Sequence, residues 1–297
     1  MKTSALTKIG LITVCILIFF MLELGFRVCY CARKSATRTF CGQNLRTLSL
    51  AMNVYAEDHF DNFPQLPGNG PWSKELGFAY DMKKPSFSIN GEQSNVGRTI
   101  TASWYLLVRY ADVAPKTFLC PHATMGKYFD TNEFTEFKGH NSNNLALTDL
   151  WDLGPNPYNH INYAMHNPYG KYPVDKSRSV CFAVAADMSP WFYKGDILPP
   201  GKDNLPPQII KFDDPTQLNL SAGNTVYHGR YGNNVLYADG HVAWETRSDV
   251  GIRNDNIYTY WSTDKEPTKQ DIRGGTAPTG RTAENDAKSK EDSFLAI

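Results

Sequence analysis

His228, Asp239 and His241 gather around an Asp239-Gly240 turn, and Asp187 follows an apolar run that could reach the same end of a sheet. Imidazoles and carboxylates so grouped could hold a divalent cation or work as an acid–base pair. A plainer reading also accounts for them. Asp239-Gly240 then serves only the turn, and His228 bonds a loop backbone. The plainer reading is preferred, because turn chemistry alone explains an Asp-Gly between two strand-like runs. His122, His140, His160 and His166 lie near Asn, Pro or Gly, without the i, i+4 spacing of a helical metal site, and are expected as solvated loop residues.

Among the cysteines, Cys41 and Cys120 either bridge, in an extracytoplasmic domain, or remain two buried reduced thiols. Cys15 falls in an apolar span, and Cys29 and Cys31 sit on nearly opposite sides of a helix, so they cannot chelate one ion. Cys181 reads as a core thiol. There is no Cys-x-x-Cys, no Gly-x-Ser-x-Gly, no His-Glu-x-x-His and no glycine-rich phosphate loop. Asp213-Asp214 before Pro215 reads as a pair of turn formers. The expectation is therefore a protein that is not an enzyme and needs no cofactor. Surface Tyr and Trp could stack on sugars, which keeps an anchored enzyme or carbohydrate binder using the His/Asp cluster as the alternative.

The elements that must position these residues begin with a long N-terminal spine. Residues 9–26 are almost uninterruptedly apolar, with Glu23 the only charge, and eighteen residues at about 1.5 Å each reach about 27 Å, enough to cross a thin bilayer core. A charge at the centre of such a span costs about 2.5 kcal/mol or more, but Glu23 lies near its exit. The run closes on Leu24, Gly25, Phe26 and Arg27 without the small residues of a signal-peptide cleavage site, so a retained anchor is expected. Leu45, Leu48, Met52 and Tyr55 then recur at helical spacing, and no proline intervenes before Pro64. Orientation stays open: Arg27, Arg33, Lys34 and Arg38 after the span favour a cytoplasmic bulk, whereas the cysteine pair favours the opposite side.

Thirty basic and thirty acidic side chains cancel, so nothing electrostatic argues for a nucleic-acid partner. Aromatics at 13%, with 22 Gly and 18 Pro, indicate a turn-rich, β-containing domain. The expected organisation is residues 1–8 as a basic leader, 9–26 as a transmembrane helix and 27–63 as its amphipathic continuation. A globular α+β domain follows over 64–261, and 262–297, charged and poor in apolar residues, reads as a disordered tail. Within the domain, a small helix is expected near residues 74–80, a helix over 103–110 with Ser103 as N-cap, and a strand over 115–120. Residues 122–160 read as a surface excursion. Strands are expected around residues 162–165 and 180–186, and a two-residue type I′ hairpin at Asp239-Gly240.

Several blocks carry a resemblance. Cys41-Gly-Gln-Asn-Leu-Arg followed by Phe63-Pro64, Ser103-Trp104 through Phe118-Leu-Cys120-Pro121, Asn162-Tyr-Ala-Met, Ala186-Asp187-Met-Ser-Pro190, and His228 with Asp239-Gly240-His241 resemble the pseudopilin-like, prepilin-type proteins of planctomycete-type bacteria, including their His…Asp-Gly signature. The resemblance covers roughly residues 8–245 in scattered blocks. It departs in two places. The fifth residue after Gly10 is Cys15 where prepilins carry Glu, and ten residues separate His228 from Asp239, one more than in the family pattern. The resemblance implies a pilin-like fold, with a long N-terminal helix packed on an antiparallel β-sheet. It also implies leader cleavage between Gly10 and Leu11, and a single-pass protein of the cytoplasmic membrane with its head in the periplasm. The expected partners are the membrane and other pseudopilin or secretion-apparatus proteins, with no nucleic acid.

Overall fold

The computed structural model describes residues 2–68, 70–74, 98–121, 126–131, 146–154, 156–199, 210–212, 221–282 and 284–297, with side chains from Gly10 onward. Two compact units make up the chain, Met1–Thr39 and Phe40–Ile297. Helix α1 (Lys2–Asp58) begins in the first unit and ends in the second. Nothing in its sequence breaks a helix, since proline is absent and its glycines stand singly.

In the first unit α1 is long and apolar enough to cross a membrane, which makes it a candidate anchor. Leu11, Phe19, Phe20, Leu24 and Phe26 are all exposed, a surface that water would not tolerate on a free helix. Glu23 does not stand alone: Arg27, one turn on, donates to its carboxylate at 3.0 Å.

The second unit is built on a five-stranded antiparallel sheet. Its strands are β1 (Tyr163–His166), β2 (Ala183–Asp187), β5 (Asn233–Tyr237), β6 (Val242–Glu245) and β7 (Leu295–Ala296). Their order is β6-β5-β2-β1-β7, and β3 (Phe192–Tyr193) pairs separately with β4 (Asp196–Ile197). β1, β2 and β5 are buried at every residue. Cys41, Leu45, Leu48, Met52 and Tyr55 form a buried seam along α1. The helix rests on the β5–β6 hairpin, and a Cβ placed on Gly42 would come within 3.0 Å of Asn234 Oδ1.

Local structure departs from expectation where tertiary contacts decide it. Helix α2 (Ile100–Tyr110) starts three residues before Ser103, because Thr99 is its cap and accepts from the Ala102 amide at 3.1 Å. Ser103 is buried inside the helix and bonds the Tyr169 hydroxyl. Residues 115–118 form a 3₁₀ turn, not a strand, as the proline at its first position favours. The hairpin carries three loop residues rather than two. Only Gly240 takes a positive φ, at 89°, while Tyr237 and His241 close the loop at 3.0 Å. That is a tight turn followed by a glycine bulge. The helix expected near residues 74–80 lies almost wholly outside the described residues, as do much of 122–160 and the Asp213-Asp214 pair.

The largest correction concerns the C-terminus. Residues 262–297 are not a loose tail: Phe294, Leu295, Ala296 and Ile297 are buried, and β7 pairs with β1 at the sheet edge. Helix α3 (Lys269–Arg273) carries a Thr268/Asp271 capping box. Polar residues that look solvating in sequence are bonded instead. Asp292 accepts the Trp261 and Lys288 amides, and Asp255 accepts the Ser293 amide and the Trp261 indole N–H. Composition alone misses such a segment because its few apolar residues enter a core formed by others.

Two predictions follow from this packing. Phe294 is fully buried, with its ring edge-on to Trp72 and Tyr260. Phe294→Ala should lower unfolding free energy by about 3–5 kcal/mol in a urea titration. The second concerns Asp152, whose carboxyl is pushed up to about 7 by burial at the start of α2, against the opposing pull of bonds from Thr99, Leu153 and Thr101. Its folded value lies above that of the unfolded chain, so its contribution to stability falls as pH rises from about 4 to about 7 and is level above that. Asp152→Asn should remove that part of the slope, read from unfolding midpoints across the same pH range.

Candidate functional site

The buried half of the candidate cluster forms where four segments meet. The seam of α1 delivers Cys41, and the turn after α2 delivers Cys120. Asp187 ends β2, and His228 lies in the turn that precedes β5. Each is held by its own element. The Cys120 amide donates to Asn162 Oδ1 at 3.0 Å, and the Asn162 amide donates back to the Phe118 carbonyl at 2.9 Å. The His228 turn is closed by the Arg230 amide on the Thr225 carbonyl and the Tyr231 amide on the His228 carbonyl, at 3.0 and 3.3 Å.

Cys41 and Cys120 are joined as a disulfide, with their Cα atoms 5.4 Å apart and a sequence separation of 79. Closing a loop of that length restricts the unfolded chain by about 4 kcal/mol in the chain-entropy description. His228 Nε2 stands 3.1 Å from Asp187 Oδ2, and the two side chains are 5% and 1% exposed. Asp187 Oδ2 also accepts the Asn234 amide at 2.6 Å and the Asn234 side-chain N–H at 3.0 Å. The Trp244 ring meets the imidazole edge-on at 5.4 Å. The Tyr258 hydroxyl donates to the Asp187 carbonyl at 2.7 Å. Burial first, then the neighbouring Asp187, holds the phenols of Tyr163 and Tyr258 far above their ordinary range, so both remain protonated.

Asp239 and His241 do not join this cluster. Asp187 stands beside Asn234 at the start of β5, and the Asp239 turn follows its far end, so the expectation of one shared end of the sheet is corrected. Five residues of strand separate the two pairs by about 16 Å. At the turn, His241 Nδ1 meets Asp239 Oδ1 at 2.5 Å, and its ring stacks on Tyr237 at 4.5 Å. The His241 amide, first, and then its imidazole hold the Asp239 carboxyl below the usual range. Gly240 meets two demands: its positive φ, and a clearance of 3.1 Å between a Cβ there and Ser49 Oγ on α1. Gly10 and Leu11, the expected cleavage junction, lie within α1, and Leu11 is exposed.

Other readings change as well. Cys181 is exposed just ahead of β2, not a core thiol. His160 is buried against the Lys127 carbonyl, and His166 lies in β1 rather than a solvated loop. His166 Nδ1 accepts the Phe294 amide, which requires its Nε2 to donate to the Tyr172 carbonyl. Burial, then Arg178, lowers its pKa to about 3. His122 and His140 lie outside the described residues. The asparagines are what residue-type reasoning missed. Asn233 accepts the Thr225 amide at 2.7 Å and donates to Asn224, which spans to the Arg230 and Thr246 carbonyls. Their one sequence signal is the crowding of Asn224, Asn233 and Asn234 around His228.

Comparison with protein-family models, with curated proteins and with solved structures gave no match. The geometry therefore carries the functional argument. The His228–Asp187 pair is shut away from a dissolved substrate, whereas the Asp239–His241 pair lies open to solvent. Asp187→Ala should lower stability by about 2–4 kcal/mol, because it strands both Asn234 donors. His241→Ala should change it by less than about 1 kcal/mol. Parallel urea titrations of the two variants check the contrast; equal losses would contradict it.

Proposed function

We propose that this chain is a membrane-anchored, pseudopilin-like structural protein that works by protein–protein contact in or beside a type II secretion or pilus-type apparatus. The observation that carries this reading is α1 itself. One helix supplies an apolar stretch fit for lipid and, further along, a seam buried in the sheet unit. A pilin-like arrangement of helix on antiparallel sheet agrees with that division of labour. The scattered blocks of resemblance, from Cys41 to the Asp239-Gly240 turn, point the same way.

The head is assigned to the extracytoplasmic side on chemical grounds. A Cys41–Cys120 disulfide persists in an oxidising compartment and is rare in the cytosol. Basic residues after the span, which taken alone favour the other orientation, weigh less than a covalent bond that a reducing compartment would open. The enclosure of His228 and Asp187 favours a contact protein over a His/Asp enzyme or carbohydrate binder.

Leu50 and Val54 are exposed on the part of α1 that lies in the second unit, and a partner in an assembly would cover them. A photo-crosslinking residue at either position, activated in intact membranes, should yield adducts heavier than the monomer that stay with the membrane after carbonate washing. A chain that is released by carbonate, or that remains monomeric from both positions, would overturn the proposal.

A further inference from the structure

Cys41 Sγ, Cys120 Sγ and one ring nitrogen of His228 all lie within 4.8 Å of one another, and all three residues are buried. The disulfide gives the two sulfurs a partner, but two polar atoms of the neighbouring His228–Asp187 pair have none. His228 Nε2 and Asp187 Oδ1 are shut off from solvent and make no hydrogen bond. Nε2 does approach Asp187 Oδ2 at 3.1 Å, yet off the line a hydrogen bond needs. Buried polar atoms left in that condition are uncommon in folded proteins. Here one belongs to the imidazole beside the two sulfurs and the other to the carboxylate that faces that imidazole.

We propose that in the dithiol state of the protein Cys41, Cys120 and His228 bind one thiophilic divalent cation of the zinc class, with Asp187 as the carboxylate that orients the imidazole. Two thiolates and an imidazole are a donor set that zinc selects over calcium or magnesium. Bonds of about 2.3 Å to sulfur and about 2.0 Å to nitrogen place tetrahedral donors about 3.6–3.8 Å apart. The three donor atoms already lie within 4.8 Å of one another, so once the disulfide opens the sulfurs part and the imidazole approaches, each by about an ångström, to reach that spacing. Two thiolates also neutralise the ion, so no net charge enters the low-dielectric core. Asp187 is fixed in turn by the two Asn234 donors; with the ion on the Nδ1 side, a small turn of the ring aims Nε2–H at this carboxylate, 3.1 Å away, the arrangement by which a carboxylate holds a ligating histidine in place.

Disulfide and metal site are alternative states of the same sulfurs. Opening the Cys41–Cys120 bond takes two electrons from a dithiol reductant, which becomes a disulfide itself, while each cysteine sulfur gains a proton. The cation then displaces those two protons as the thiolates bind it. Formation of the disulfide by an oxidant of the same class reverses the sequence and releases the ion.

The test uses the full-length chain in detergent, reduced with a phosphine that leaves no competing thiol, and cobalt(II) as the probe. The expected result is a single-site titration with thiolate-to-cobalt charge transfer and the intense visible bands of a tetrahedral ion, absent from the oxidised protein. Cys120→Ser should abolish the spectrum and His228→Gln should alter it. Asp187→Asn should keep its shape while weakening affinity about 10- to 100-fold. The exposed Cys29 and Cys31 are controlled by replacing both with serine, which should change nothing. Should Cys120→Ser fail to fold, alkylation of the reduced wild-type chain gives a second readout. Zinc should shield Cys41 and Cys120 but not Cys181. No cobalt spectrum in the reduced protein, a spectrum that survives Cys120→Ser or is lost with Cys29 and Cys31, or alkylation of Cys41 and Cys120 undiminished by zinc would each overturn the proposal.

Discussion

The burial of one face of α1 against the β5–β6 hairpin is the constraint from which the second unit follows. Leu45, Leu48, Met52 and Tyr55 are buried along the same helix, Tyr55 with its ring edge-on to Tyr110 of α2, and burying an apolar side chain of this size contributes about 1.5–3 kcal/mol. Close approach requires small residues at the contact. Gly42 lies under Asn234 and Gly240 lies under Ser49, and a single added carbon at either would meet a neighbour at 3.0–3.1 Å. The disulfide then ties the same helix to the turn after α2. Asn44 adds bonds to the Leu119 carbonyl and the Tyr163 hydroxyl, at 2.9 and 3.1 Å.

Around that contact the polar residues divide by environment. Asp187, His228, Asn233 and Asn234 are buried, so their polar atoms depend on protein partners, which is why the turn around His228 and the start of β5 share so many bonds, with His228 Nε2 and Asp187 Oδ1 the exceptions. Asp239 and His241 face solvent and bond mainly each other. A motif that looks continuous in sequence thus combines an internal brace with a turn former. The strand between them keeps the two apart, because β structure extends by about 3.3 Å per residue.

The C-terminal segment completes the sheet from outside. β7 covers the free edge of β1, which would otherwise present unpaired backbone groups. Its approach is secured by buried carboxylates. Burial, then the facing Asp292, raises Asp255 well above the ordinary range, and burial raises Asp292 to about 7. Groups in that condition are tolerated because backbone amides and the Trp261 indole bond them. The last residues of the chain therefore belong to the core as fully as the seam of α1 does.

Helix α1, its apolar front and its buried seam were legible from residue order alone. Helical periodicity and the absence of proline are local properties, and a run of apolar residues needs no partner to be recognised. The strand of residues 183–187 and the hairpin around Gly240 were legible for the same reason, down to the glycine though not to the loop length. Residue types also singled out Cys41, Cys120, Asp187 and His228, but nothing local says that a sulfur pair from two distant segments will lie against an imidazole. The enclosure of that pair, the exposure of Asp239 and His241, the asparagine network and the return of residues 294–297 into the sheet were decided by tertiary structure. Burial and hydrogen-bond closure depend on which segments meet, and those meetings reach far along the chain, 191 residues between Ser49 and Gly240 and 128 between His166 and Phe294.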